Sequence, residues 1–255
     1  MQLYANARPI RCLTTPRLNA CKASDFDWLL IRENSEGEYS GHGGRSYNNY
    51  DWEVATETSI FTRHGIQRIM QYAFEAANRR PRKHLTVVSK SNAQRYGLVL
   101  WDEIVAETAK RFPDFTWDKE LVDAMTTRMV RKPWTIDTVV RTNLHIDILS
   151  DLAAALASSI GTAASVNLDP LRKSPSIFEP VHGSAFDIMG KGIANPIGAI
   201  LALADLLAWV GLQDLADVVI AAVVRTCKEG QVTRDVGGKF GTEAVSAAIC
   251  GLLRN

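Results

Sequence analysis

The sequence is short of cysteine, of net charge and of long apolar runs, and each shortage excludes a class of protein. Its four cysteines, Cys12, Cys21, Cys227 and Cys250, form no CxxC pair and no zinc-type spacing. Reduced thiols are therefore expected, not a disulfide framework or a zinc site. Lys and Arg number 29 against 28 Asp and Glu, a formal charge of +1. So neutral a chain lacks the basic surplus that nucleic-acid phosphates demand. The most apolar long run, Pro196 to Leu212, is short for a membrane span and carries Asp205. Residues 1–20 contain Arg8, Arg11 and Arg17 and no apolar stretch of the kind a secretory signal needs. The chain has no GxGxxG fingerprint, internal repeat, low-complexity tract or Pro/Ser-rich linker, so composition alone does not divide it.

What is present is an ordinary globular composition, 46% hydrophobic and 22% charged over 255 residues, enough for a sizeable core in one or two domains. Disorder is excluded by the same figures. Strand-like and helical runs alternate, which predicts an α/β protein. Strands are expected at Asp27–Arg32, His84–Ser89, Thr138–Thr142 and Ser176–Val181, with a glycine-rich turn from Glu36 to Arg45. Helical spacing predicts helices over Phe61–Arg79, Leu98–Phe112, His145–Ser158, Asn195–Val210, Leu215–Cys227 and Thr242–Leu253.

The sharpest chemical feature is Asp147-Ile-Leu-Ser-Asp151. Carboxylates four apart stack on one helical face and repel unless a cation lies between them. Such oxygen donors suit Mg²⁺ or Mn²⁺, although a solvated helix face gives the same pattern. Asp123, in LVDAM, is a third acid among apolar residues, or a helix cap. Lys90 ends a strand, where desolvation can turn a lysine into a proton shuttle; a surface lysine is the plain alternative. Tyr39 in EGEY is a second proton donor or a packing aromatic. Arg8, Arg11, Arg17 and Arg32 are candidates for anion binding, Arg32 foremost because it closes an apolar strand. In EPVHGSAFD (179–187), Gly183 permits close backbone approach, and an acid such as Asp187 can accept a ribose diol.

Taken together, YANARPIR (4–11), IRENSEGEYS (31–40), SKSN (89–92), LVDAM (121–125), TNLHIDILSDL (142–152), EPVHGSAFDIMGKGIANP (179–196) and GTEA (241–244) resemble the β-decarboxylating 2-hydroxyacid dehydrogenases. This is the family of isopropylmalate, isocitrate, tartrate and D-malate dehydrogenases. RRPRKHLT (79–86) and SVNLDPLRKSPSIFEPVHGSA (165–185) are most similar to the tartrate/D-malate branch. The resemblance implies an isopropylmalate dehydrogenase-like two-domain α/β fold that lacks the first part of the large domain's sheet. Residues 15–157 would form the small catalytic, dimer-forming domain, and 1–14 with 158–255 a remnant of the large cofactor domain. It further implies NAD-dependent, Mg²⁺- or Mn²⁺-assisted oxidation and decarboxylation of a 2-hydroxy dicarboxylate, in a cytoplasmic or mitochondrial homodimer without nucleic-acid or membrane partners. Arg8, Arg17 and Arg32 would bind substrate, and Tyr39 and Lys90 would be the acid/base pair. Asp147 and Asp151 would hold the metal, with Asp123 donated across the dimer. His182, Gly183, Ala185, Asp187 and Asn195 would contact the cofactor.

The chain departs from the family pattern at four places, one of them the glycine missing around Thr14–Pro16. Ile146 stands where the family has glycine, which suggests added bulk beside the metal acids, and His145 precedes it as a stray ligand or a packed helix-entry residue. Phe186 replaces a proline, which should loosen the cofactor loop. Only Met1–Leu3 precede Tyr4, where the family carries the nicotinamide-side turn and the substrate-reading segment. Weak activity, or a non-catalytic dimer partner, is therefore expected of the chain as it stands, with isopropylmalate and isocitrate as alternative substrates.

Overall fold

In the computed structural model, residues 3–157 and 159–254 are described. Ser158, where one expected helix ends and the second expected domain resumes, lies outside them. Strands β1 (Ala5–Arg11), β2 (Asp27–Glu33), β5 (His84–Ser89), β6 (Thr116–Leu121), β7 (Thr138–Arg141), β8 (Ala164–Leu168) and β9 (Ile177–Pro180) form one sheet in the order β6-β5-β7-β2-β1-β8-β9. The first four in that order are mutually parallel, whereas β1, β8 and β9 continue the sheet antiparallel. A separate hairpin is made by β3 (Gly37–Ser46) and β4 (Val54–Ile60). The α/β class expected from the alternation is thus the one observed, and the sheet runs without a break through both segments that the resemblance assigned to separate domains.

Helices cover both faces. On one face α1 (Arg63–Asn78) and α2 (Gly97–Ala109) bury Ile66, Ile69, Met70, Phe74, Leu98 and Trp101 against Ile31, Leu85, Val87 and Val140. Thr62 starts α1 by accepting the Gly65 amide at 2.9 Å, and Pro81 follows its end. The opposite face carries α3 (Val122–Arg131) and α4 (Asn143–Ala157), packed through Met125, Met129, Leu149 and Ala153 on Trp28, Leu30, Val88 and Val139. A third cluster joins α5 (Ile197–Trp209), α6 (Gln213–Lys228) and α7 (Thr242–Leu253) to Ala164 of β8. Each fully buried Leu or Ile contributes roughly 1.5–3 kcal/mol.

Three readings of the sequence need correction or completion. The stretch Glu36–Arg45 is not a turn: from Gly37 it is one arm of the hairpin, bent by a register shift between Gly37 and His42. Its glycines disguise a strand whose partners lie in Val54–Ile60. The strand β1 was not foreseen, because Asn6, Arg8 and Pro9 break any simple apolar pattern. Alternation explains it: Ala5 and Ala7 enter the α1/α2 core, while Asn6, Arg8 and Ile10 face α4. Ile146 does not crowd the metal acids. It is fully buried with Leu30, Val139 and Leu149, on the core side of α4. Residues one apart on a helix point in different directions, so Ile146 and Asp147 serve different neighbours.

Candidate active site

Strand register brings the polar groups of the site into line. In β1, Asn6 lies opposite Arg32 of β2 on one side and Asn167 of β8 on the other. These residues point to the α4 face, so Arg32, Asn6 and Asn167 make a polar row across three strands. Asn6 donates at 2.8 Å to both Ser165 and Asn167, and Arg8 Nε donates to Asn6 Oδ1 at 2.9 Å. Asn167 in turn donates to Glu179 at 2.8 Å. A chain that runs from the buried Arg8 and Asn6 out to the exposed Glu179, with each of these donors finding an acceptor, holds its inner members in one geometry.

Helix α4 lies over that row and presents Asn143, Asp147 and Ser150. Arg32 donates from Nε to Asn143 at 2.9 Å and from Nη1 to Asp147 Oδ1 at 2.6 Å. Arg8, buried to 7% exposure, reaches the same Oδ1 from Nη2 at 3.2 Å and donates from Nη1 to Ser150. Tyr39, from β3, donates its phenol to Asp147 Oδ2 at 3.2 Å, and the Arg32 guanidinium stands 5.5 Å from the centre of its ring. Three of the expected residues, Arg8, Arg32 and Tyr39, therefore converge on the carboxylate of a fourth, Asp147. Asp151, one turn further along α4, is electrostatically coupled to Arg8, Asp147 and Arg32.

The electrostatics follow from this crowding. Loss of water and the neighbouring Arg32 charge lower Arg8, against the pull of Asp147. Tyr39 is raised above the ordinary phenol value, first by the Asp147 charge, so it keeps its proton through neutral pH. Partial desolvation and the Asp147 charge raise the Asp151 carboxyl. His145 is pushed down to about 4 by burial and by Arg141, and is neutral at pH 7. It sits 3.2 Å from the Thr142 hydroxyl at the entry of α4, the packed position anticipated for it.

Lys90 and Asp123 form a second group. Lys90, just past β5, donates to Asp123 in the first turn of α3 at 2.6 Å, and this bond lowers the Asp123 carboxyl. Asp123 thus faces Lys90 within its own chain, and among the described residues no three His, Cys, Asp or Glu side chains gather as a metal cluster. Asp147 and Asp151 still suit a hard divalent cation: both offer carboxylate oxygen, and a bound cation would offset the Asp147 charge that, after burial, raises Asp151. Arg17 stands apart from Arg8 and Arg32. Its backbone binds Leu156, nine residues along α4 from Asp147 and so about 13 Å away, and its guanidinium donates to the Asp235 carbonyl at 2.7 Å.

A pocket of about 440 Å³ collects His182, Gly183, Ala185 and Asn195 with apolar Ile160, Ile188, Met189 and Ile193. A largely apolar hollow with a few fixed polar groups fits an adenosine. Asp187 lies outside this lining, exposed on the turn Phe186–Ile188. That turn follows Ala185, held at a φ of 44°, and leaves Phe186 76% exposed. Asp235, which sequence reasoning missed, anchors the pocket. It accepts from Ser159 at 2.6 Å, Asn195 at 3.0 Å and Thr233 at 2.5 Å. Burial would raise this carboxyl, but the three donors outweigh it and hold Asp235 below the usual range. Its only signal was the glycine-rich run after it, which marks a loop and no chemistry. Asn6, Asn143 and Ser150 were missed too, because their roles come from register and not from local spacing.

The fold and the site define an α/β protein with a cluster of arginines and acids on the α4 face of its sheet and a separate, largely apolar pocket at Asn195 and Asp235. The chain belongs to the isocitrate/isopropylmalate dehydrogenase family, whose pattern matches residues 1–249. It is 58% identical over 249 residues to a probable tartrate dehydrogenase/decarboxylase of Agrobacterium vitis, covering 97% of this chain and 70% of that protein. It is 43% identical over 257 residues to the decarboxylating D-malate dehydrogenase of Escherichia coli K12, covering 98% of this chain and 71% of that one. Among solved structures, isocitrate dehydrogenase from Methylococcus capsulatus superposes with a TM-score of 0.92 at 38% identity, over 99% of this chain and 74% of that one. The isopropylmalate dehydrogenase-like α/β fold implied by the motifs is therefore the fold of the chain.

Proposed function

We propose that this chain carries the NAD- and divalent-metal-dependent oxidative decarboxylation of a 2-hydroxy dicarboxylate of the tartrate or D-malate type. The observation that carries the reading is the convergence of Arg8, Arg32 and Tyr39 on Asp147, one helical turn from Asp151. Two guanidinium groups that each reach Asp147 through one nitrogen, Arg32 Nη1 and Arg8 Nη2, place positive charge where the carboxylates of a substrate would be held. Tyr39, whose phenol keeps its proton beside Asp147, is the acid that protonates carbon after CO₂ leaves. Lys90 is the base that takes the C2 hydroxyl proton, directly or through one water. Asp147 and Asp151 would hold Mg²⁺ or Mn²⁺, which when bound supplies Lewis-acid polarisation of the substrate oxygen. NAD supplies the hydride acceptor, with its adenosine half against His182, Gly183, Ala185 and Asn195. Asp187, exposed beside that pocket, would take the ribose diol and repel a 2′-phosphate.

Residues 15–157 act in this reading as the small domain, and residues 1–14 with 158–255 as part of the cofactor domain. A homodimer completes the site. Because Lys90 and Asp123 are bonded to each other, a partner that donates Asp123 donates Lys90 with it. The β3–β4 hairpin supports such pairing: Tyr47, Tyr50 and Trp52 at its tip are each about 60% exposed. Arg17, committed to Asp235, is a tie between the pocket wall and α4 and not a substrate ligand.

The test is NADH formation with Mn²⁺ and a panel of tartrate, D-malate, isopropylmalate and isocitrate. Whereas the departures from the family pattern led to an expectation of weak or no activity, the convergence on Asp147 leads to an expectation of measurable turnover of tartrate or D-malate, abolished by Arg32→Met. Turnover of isopropylmalate or isocitrate alone would overturn the substrate assignment, and no turnover of any of the four would overturn the activity.

A further inference from the structure

We propose that the polar groove between α1 and α2 binds a small hydroxylated polycarboxylate, and that its occupation is transmitted to the turn that joins the strands of Arg32 and Tyr39. The groove has a volume of about 450 Å³ and lies on the α1/α2 face of the sheet, away from the α4 face that holds the active site. His64, Arg68, Gln71, Glu107 and Arg111 line it, with the buried Thr108.

Its chemistry selects the ligand. Glu107 is already paired with Arg63 at 2.7 Å, so the acid in the lining is neutralised. Arg111 enters no ion pair among the described residues, and with Arg68 it offers two guanidinium forks for carboxylates. Gln71 adds a demand of another kind. Its amide nitrogen donates to Glu75, while its buried Oε1 has no hydrogen-bond partner among the described residues. A buried acceptor of this kind calls for a donor, and a ligand hydroxyl supplies one when the Gln71 side chain turns its oxygen into the groove. Carboxylates for Arg68 and Arg111 and a hydroxyl for Gln71 together describe a hydroxylated polycarboxylate.

Arg68 is the link to the active site. Its guanidinium lies 4.4 Å from the Tyr4 ring, donates to the Ser35 hydroxyl and stands 3.8 Å from Glu33. Glu33 in turn accepts the amides of Ser35 at 3.1 Å and Glu36 at 2.8 Å, closing the turn between β2 and β3. Arg32 precedes that turn and Tyr39 follows it. A carboxylate bound to Arg68 competes with Ser35 and Glu33 for the same guanidinium and loosens the turn.

Citrate is the probe, titrated calorimetrically into the full chain and into Arg111→Ala and Gln71→Leu, with amide hydrogen exchange followed at Ser35 and Glu36. We expect saturable citrate binding that Arg111→Ala weakens by about tenfold or more, equivalent to one lost charged contact. Gln71→Leu should weaken it severalfold, and exchange at Ser35 and Glu36 should quicken in the citrate-saturated wild type but not in Arg111→Ala. Citrate held only by Arg8 and Arg32 would bind all three proteins alike, and that result overturns the site. Absence of saturable binding also overturns it, and binding without a change at Ser35 and Glu36 overturns the transmission.

Discussion

Replacing Ile146 with glycine, the residue the family pattern carries there, separates two readings of this position. If Ile146 crowded the metal acids, Ile146→Gly would open the site and improve metal binding. In the structure Ile146 is fully buried between Leu30, Val139 and Leu149, on the face of α4 turned from Asp147. Truncating a buried isoleucine to alanine costs about 2–5 kcal/mol, because the surrounding core relaxes only in part. Going on to glycine inside a helix adds about 1 kcal/mol of backbone entropy. The expected loss of about 3–6 kcal/mol is a large share of the roughly 5–15 kcal/mol that holds a domain folded. With a urea slope near 3 kcal/mol/M, the unfolding midpoint should fall by about 1–2 M with the slope unchanged. Urea unfolding followed by circular dichroism measures this, and Mn²⁺ titration of the folded variant measures the site. An unmoved midpoint together with tighter Mn²⁺ binding would refute the core assignment.

Other outcomes follow from the same geometry. Tyr39→Phe removes the proton donor while leaving Arg8 and Arg32 in place, so kcat should fall by about 10²–10⁴-fold with KM little changed; a large KM effect would make Tyr39 a binding residue instead. Asp151 has a raised carboxyl, so the folded chain holds a proton there to higher pH than the unfolded chain. Its contribution to stability therefore falls as pH rises through that window, and Mn²⁺ affinity rises over the same window as the proton is lost. Calorimetry in buffers of different ionisation enthalpy should show proton release on metal binding, and Asp151→Asn should remove both the release and the binding. Asp235→Ala frees Asn195 and Ser159 at the pocket wall and should weaken NAD⁺ binding by about 1–3 kcal/mol, read by fluorescence titration. If the hairpin tips pair two copies as proposed, Trp52→Glu should lower the sedimentation coefficient relative to the wild type with the circular dichroism unchanged, and equal coefficients would count against the pairing.

Much of the architecture was legible in the chain because it rests on local pattern. The helix over Thr242–Leu253 agrees residue for residue with its apolar spacing, and β5 does so with its β-branched run. The chemical residue types were legible as well: an Asp pair four apart, a strand-end lysine and a strand-end arginine name themselves through charge in apolar surroundings. Of the strands that escaped, β1, β6 and β8 owe their state to neighbours distant in sequence, whereas β3 and β4 pair locally and were hidden by the glycines of β3. Asn6 and Arg8 sit in a strand because Arg32 and Asn167 flank Asn6 across the sheet.

The sequence by itself determined the family, the alternation of elements and which side chains can bind anions, metals or protons, since these depend on residue type and short spacing. Tertiary structure alone decided the groupings. It joined Arg8, Arg32 and Tyr39 on Asp147, sent Arg17 to Asp235 and Ile146 to the core, and set Asp123 against Lys90. The physical reason is that strand register and helix phase are fixed by burying apolar faces over the whole sheet, so a one-residue shift would turn Arg8, Arg32 and Tyr39 to the other face of their strands and rotate Asp147 and Ile146 by about 100° around α4.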